Sequence, residues 1–203
     1  MTAIVAGLRP VALPDPARPD AGLILASLWR TRGLEQQQKV MSGVMDAWEK
    51  ARLPAAYLAR HCLAGSDGRT ILNFAQWTSP EAHRTFAADP RNQQTLGSAI
   101  QALYSADPPG RYVPYRFAGR HDGAARYLTA TWHDTEDDAM ARSLADELTE
   151  RAPAALTSPS AVAEYFYIGE AGRQLLVLAG FQDEPGGVGP WFSPFRGLVR
   201  SAR

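Results

Sequence analysis

The chain has 203 residues, 45% hydrophobic and 21% charged, the mix of an ordinary globular protein. At roughly 150 residues per domain it holds one large domain or two small ones, with enough chain to bury a core without staples. Lys and Arg number 21 and so do Asp and Glu, so no net field draws in nucleic acid or an anionic membrane. The single cysteine, Cys62, excludes an internal disulfide framework and fits a reducing, cytoplasmic compartment.

In chain order, residues 1–21 read as an extended arm or loose tail. The apolar run Ala3 to Leu8 is too short for a signal segment, and Pro10, Pro14, Pro16 and Pro19 follow it. No window approaches the roughly 18 apolar residues of a membrane span. A strand is predicted from Gly22 to Arg30, then a helix with a stripe at Val40, Met41, Val44, Met45 and Trp48. Strands near Ala56–Ala64 and Arg69–Trp77 flank the Asp67-Gly68 turn, a strong hairpin signal. Ser79 caps a helix with Pro80 at its first position. Asp89-Pro90 interrupts that helix, Leu96, Ile100 and Leu103 suggest a further helical piece, and Arg111–Ala118 reads as a fourth strand.

The order then starts again. Arg126–Trp132 reads as a strand. The helix after it is expected to be capped at Thr135, with Asp137 and Asp138 in its first turn and Met140, Leu144 and Leu148 on its inner face. Strands follow near Ser160–Ile168 and Arg173–Phe181. The segment Pro185 to Pro190 cannot sustain a second helix, and Pro194–Val199, which matches Pro114-Tyr115-Arg116-Phe117, reads as the last strand.

The repetition is visible in the residues themselves. Gly65–Trp77 aligns without a gap on Gly169–Phe181, with Gly65/Gly169, Gly68/Gly172, Arg69/Arg173, Leu72/Leu176 and Ala75/Ala179 identical. Upstream, Leu25–Trp29 matches Leu128–Trp132. The expected fold class is α+β: two tandem ferredoxin-like β-α-β-β-α-β units, 22–120 and 121–203. Their antiparallel sheets would pack bare face to bare face into an intrachain pseudo-dimer. The chain is then a monomer or a homodimer.

Four segments, Ser27-Leu28-Trp29-Arg30, Asp46-Ala47-Trp48-Glu49, the Gly65–Arg69 hairpin and Asn73-Phe74-Ala75-Gln76-Trp77-Thr78-Ser79-Pro80-Glu81-Ala82-His83, carry a resemblance. Through them residues 22–118 resemble the antibiotic-biosynthesis monooxygenase family of dimeric α+β-barrel proteins, and 125–199 look like an eroded second copy. The resemblance implies oxidation of an anthrone-type aromatic polyketide to a quinone in antibiotic biosynthesis, with O₂ as co-substrate and no metal, flavin or haem. Its Asn–Trp pair maps onto Asn73 and Trp77. Where relatives carry a Tyr this chain has His83, which puts tyrosine-based proton delivery in doubt.

On a period-two strand Ile71, Asn73, Ala75 and Trp77 share a face. There an amide and an indole N–H side by side can donate to a developing oxyanion. Both residues are equally at home as core. His83 is a candidate proton carrier or a surface histidine on a helix turn. His61 either enters the same cavity or pairs with a carboxylate. Arg30 and Arg116 are candidate anion holders or solvated cations. No dinucleotide fingerprint, P-loop or nucleophile elbow is present. His61 and Cys62 point to opposite faces, and His83, His121 and His133 lack ligand spacing. Haem degraders of related fold use an Asn in the first strand and a His ten residues past the Trp, and that later position here is Ala87. Two other readings stay open: a polyketide cyclase or isomerase using the same pocket, and a non-catalytic protein that binds a pathway intermediate.

Overall fold

The computed structural model describes residues 8–10, 14–104, 108–119, 125–155, 160–186 and 189–200. His121 lies outside them. The strands are β1 (Leu8–Pro10), β2 (Leu23–Arg30), β3 (Tyr57–Gly65), β4 (Thr70–Trp77), β5 (Gly110–Gly119), β6 (Tyr127–Asp134), β7 (Ala161–Gly169), β8 (Gln174–Phe181) and β9 (Phe192–Arg200). The helices are α1 (Leu34–Lys50), α2 (Pro80–Ala88), α3 (Pro90–Asn92), α4 (Ser98–Leu103) and α5 (Asp138–Ala155), with a π-helical turn over Gln93–Gly97. Among the described residues no helix is long and apolar enough to cross a membrane.

Turn chemistry sets the hairpins. Asp67 Oδ1 accepts from the Arg69 and Thr70 amides and from Thr70 Oγ1 at 2.8–2.9 Å. Gly68 sits at φ 65°, a conformation that excludes most side chains. Gly172 repeats it at φ 72°. The Ser79 cap is formed as expected, its Oγ accepting from the Ala82 amide at 3.2 Å.

All strands join one antiparallel sheet in the order β1-β9-β3-β4-β2-β5-β7-β8-β6, closed by a β9–β6 contact. Each half therefore runs its strands second, third, first. The fourth strand of each half is given chiefly to the other half. β5 matches seven residues of β7 but three of β2. β9 matches seven of β3 but one of β6. The result is a closed barrel, not two stacked sheets. Closure removes the long edges at which an open sheet would aggregate. The barrel interior is filled by Ile24, Leu63, Leu72, Phe74, Tyr112, Val162, Tyr167, Leu176, Leu178 and Phe192.

The halves share details finer than strand order. Leu58 in β3 and Val162 in β7, 104 residues apart, are the unmatched residues of equivalent bulges. Tyr115 in β5 and Phe195 in β9 are likewise skipped in their ladders. Each bulged ring packs over the helix layer beside it.

Three expectations change, and one alternative is decided. Strand β6 aligns on β2 at an offset of 104, so Trp29 corresponds to His133 and not to Trp132. One residue of slip flips the face, and Trp29 packs toward α1 while Trp132 packs toward the barrel interior. The α5 cap is Asp137, whose carboxylate accepts from the Met140 amide at 2.8 Å, and not Thr135. Met140 is 48% exposed, and the inner face of α5 is built on Ala141 and Ala145, with Leu144 and Leu148 beside them. Of the two readings of residues 1–21, the extended arm holds for the described residues: β1 pairs with β9, and the Pro16 carbonyl accepts from Tyr167 Oη at 2.8 Å. Buried Arg18 donates to the Leu58 carbonyl at 3.3 Å.

The β5–β7 seam supplies a test. Gly119 has φ 148°, and a Cβ there would lie 2.5 Å from Ala163 Cα and 2.6 Å from the Val162 carbonyl oxygen. Gly119→Ala is expected to lower the thermal midpoint by roughly 3–10 °C. Gly186→Ala, which meets nothing within 4 Å, should move it by less than about 2 °C in the same melt.

Candidate active site

The α1 stripe of Val40, Met41, Val44, Met45 and Trp48 docks on Leu23, Leu25 and Trp29 of β2 and on Ile71, Ala75 and Trp77 of β4. Gln37 pins the helix to the hairpin, its Nε2 donating to the Thr70 and Gly65 carbonyls at 2.7 and 3.2 Å. The face expected for Ile71, Asn73, Ala75 and Trp77 is the one turned to this helix. In β3 the bulge at Leu58 shifts the alternation. Tyr57 faces α1 before it, and Arg60 and Cys62 do so after it.

Three strand residues thereby meet under α1. Asn73 Oδ1 accepts from Arg60 Nη2 at 2.9 Å and from Cys62 Sγ at 3.4 Å. The Arg60 guanidinium lies 4.8 Å above the Trp48 ring. An aromatic wall completes the layer. Trp48 stacks on Tyr57 at 5.3 Å, Tyr57 meets Trp77 edge-on at 5.4 Å, and Trp77 meets His83 edge-on at 5.1 Å and Phe86 at 5.0 Å.

The layer is polar where a core should be dry. Asn73 Nδ2, Trp77 Nε1, Trp48 Nε1, Trp29 Nε1, Arg60 Nε and Tyr57 Oη are buried without a hydrogen-bond partner. Each such group costs about 1–3 kcal/mol. Arg60 is 7% exposed, and its contacts are an amide oxygen and an indole face rather than a carboxylate. A buried cation so placed is expensive. Burial also pushes the Tyr57 phenol and the Cys62 thiol above their ordinary pKa values, against the nearby Arg60 charge. Each unpartnered group here can donate, Tyr57 Oη being an acceptor as well, so the layer can receive an acceptor or an anion.

The equivalent layer under α5 is different. At the offset of 104, Asn73 becomes Val177, Trp77 Phe181, Cys62 Phe166, Tyr57 Ala161, Trp48 Ala152 and Met41 Ala145. Ala141, Ala145, Phe166, Ile168 and Leu175 form an apolar cluster there. A helix seated on alanines leaves no polar space beneath it.

Not every sequence candidate joins the site. His61 is fully buried but lies opposite Phe74 in the ladder, on the barrel side, because its neighbours Arg60 and Cys62 take the α1 side. Arg30 is exposed, and its backbone amide and carbonyl bond Tyr104 Oη at 2.9 and 2.7 Å. Arg116 pairs with Asp146 of α5 at 2.8 Å. His83 does join the wall, and Arg111 of β5 contacts its Nδ1. Burial, then Arg111, against the opposing pull of Glu170, push its pKa down to about 4, so the ring is neutral near pH 7.

Sequence reading missed Arg60, Trp48, Tyr57, Arg111 and Glu170. The signal for Arg60 was available: a cation in the middle of the otherwise apolar Tyr57–Leu63 run. A cleft of about 770 Å³ opens at the end of α1 toward α2 and α3, lined by Leu53, Ala82, Phe86, Asn92 and Leu96. Phe86 stands between that cleft and Trp77. Among the described residues no three His, Cys, Asp or Glu side chains gather to hold a metal ion.

No family model matches the sequence, and no curated protein does. Solved structures do. An anthrone oxidase-like protein aligns with 96% of this chain and 95% of its own, with 13% identity and a TM-score of 0.62. A monooxygenase-named protein from Lactobacillus acidophilus NCFM aligns with 80% of this chain and 78% of its own, with 8% identity and a TM-score of 0.52. A monooxygenase from the gene ActVA-Orf6 of Streptomyces coelicolor, in complex with the ligand Nanaomycin D, matches 48% of this chain and 89% of its own at 27% identity and a TM-score of 0.38. The first two share the fold, an α+β barrel.

A site assembled against stability predicts its own removal. Arg60→Met together with Asn73→Val, which removes the buried cation and gives position 73 the residue of its counterpart Val177, is expected to stabilise the ligand-free protein by about 1–4 kcal/mol in denaturant titration. A lower midpoint in that double variant contradicts the reading of Arg60 as an uncompensated charge.

Proposed function

We propose that the layer between α1 and β2–β4 binds a planar, oxygen-rich aromatic of the anthrone type as its enolate and promotes its oxidation by O₂ to a quinone. The observation that carries this reading is the buried set of Arg60 Nε, Asn73 Nδ2 and Trp77 Nε1, three donors of one layer that have no hydrogen-bond partner, beside an Arg60 whose other contact is the Asn73 amide oxygen. An enolate oxygen between the Asn73 amide and the Trp77 indole receives two N–H bonds, and the Arg60 charge beside them favours the deprotonated ring. Trp48, Tyr57 and Phe86 supply flat walls for the rings. The cleft at Phe86 is the entry.

The chemistry then belongs to the substrate. The electron-rich enolate gives an electron to O₂. One oxygen atom enters the ring CH₂ as the new carbonyl, and the other leaves as water with its two hydrogens. The protein holds the ring and stabilises the anion, and the reading requires no metal, flavin or haem. Production of an aromatic antibiotic is the natural setting for such a substrate.

The same reading takes residues 22–120 as the working copy of a ferredoxin-like unit and 121–203 as a duplicate whose helix layer has become scaffold. The shared offset of 104 in hairpins, bulges and the β2/β6 ladders supports duplication. The chain carries its own barrel partner and is expected to run as a monomer.

Purified protein should consume one O₂ per hydroxyanthrone and yield the quinone with no added cofactor. Asn73→Ala and Trp77→Phe should each lower kcat/KM by roughly 10²–10³ while circular dichroism shows the fold retained at the assay temperature. Undiminished turnover in both variants overturns the site. Anaerobic product of unchanged mass assigns a cyclase or isomerase instead, and tight binding with no product assigns a binding protein.

A further inference from the structure

We propose that the second half of the chain completes this site: Glu170, in the turn between β7 and β8, sets Arg111, and Arg111 fixes His83 as the neutral tautomer with its proton on Nε2. The tautomer assignment stands on geometry alone, and its use rests on the function proposed above.

Arg111 is central in the arrangement. Its Nε bonds Glu170 Oε2, its Nη1 contacts His83 Nδ1, and its Nη2 donates to the Pro80 carbonyl at 3.3 Å. The other Glu170 oxygen accepts from Arg84 Nη1 at 2.6 Å, and Arg84 Nη2 reaches Glu81 at 2.6 Å. His83 is thus faced by Arg84 and Glu81 of its own helix, by Arg111 of β5, and by Glu170 of the opposite half.

A guanidinium only donates and does not lose its proton in a protein. The His83 nitrogen that meets it must therefore present a lone pair, which leaves the one imidazole proton on Nε2. Protonating Nδ1 would set an N–H against the cation, so the ring is held neutral and cannot serve as a general base. This replaces the expectation of a proton carrier. His83 becomes a fixed neutral donor at the edge of Trp77, able to hydrogen-bond a substrate oxygen without adding charge.

The device is not a general property of the fold. The same backbone junction occurs in both halves: the Glu170 amide donates to the Arg111 carbonyl at 2.7 Å, and the Ser66 amide donates to the Trp191 carbonyl at 2.8 Å. Only the junction beside the α1 layer carries an acid and a base on its side chains. The half without a polar layer under its own helix supplies the carboxylate that orders the other.

The test uses protein labelled with ¹⁵N-histidine, His83 being assigned by the signal lost in His83→Gln. His83 is expected as the Nε2–H tautomer across neutral pH, titrating near pH 4. In Arg111→Gln, with folding checked by circular dichroism, its midpoint should rise toward the ordinary histidine value of about 6.5 and the tautomers should mix; in Glu170→Gln, which removes the charge that pulls the midpoint up, the tautomers should mix without such a rise. An Nδ1–H tautomer in the unaltered protein, a midpoint near 6.5 there, or spectra unchanged in both variants overturns the proposal. With hydroxyanthrone and O₂, His83→Ala should lose roughly 10²-fold in kcat, and His83→Gln, which keeps a neutral N–H donor, should recover at least roughly tenfold of that loss. Full turnover in His83→Ala overturns the donor role. Absence of turnover in the unaltered protein counts against the oxygenase reading alone, because the spectra need no substrate.

Discussion

The exchange of fourth strands between the halves is the constraint on which the rest of this molecule depends. β5 leaves β2 after three matched residues and runs along β7, and β9 runs along β3. That exchange closes the sheet, hides both faces of β3 and β4, and lets one side of β4 belong to the barrel and the other to α1. It also brings Arg111, at the start of β5, against Glu170 at the end of β7. A site that lies in one half is therefore braced from the other.

Pseudo-symmetry makes the side chains proposed for the site conspicuous. Where two layers share strand order, bulges and turns, residues that differ between them are not demanded by the fold. Met41, Trp48, Tyr57, Cys62, Asn73 and Trp77 have small or apolar counterparts under α5. Arg60, whose counterpart is the half-buried Glu164, puts a buried cation on its side. The α5 layer is what stability by itself selects. The α1 layer gives up several kilocalories of hydrogen bonding that a ligand can restore.

Much of this was legible in the sequence, for local reasons. The Asp67-Gly68 turn, the Ser79-Pro80 cap, the stripe of α1 and the shared face of Asn73 and Trp77 each follow from chemistry confined to a few residues. What escaped depends on events distant in the chain or smaller than a pattern can resolve. The bulge at Leu58 inverts the alternation of β3, which turns Arg60 toward Asn73 and His61 away from it. A slip of one residue paired Trp29 with Trp132, although the two rings face opposite sides of the sheet. Whether the N-terminal segment is an extended arm or a loose tail stayed open because its anchors, Tyr167 and Leu58, lie far along the chain. Arg111 and Glu170 carry no signature until the barrel closes.

The central claim is that polarity is concentrated in a single layer, so the protein has one ligand site per chain and not two. Calorimetric titration with a hydroxylated anthraquinone measures this directly. One equivalent per chain, with binding lost in Arg60→Met and kept in Glu164→Gln, is the result expected. Two equivalents, or one that Arg60→Met leaves undiminished, would contradict the account.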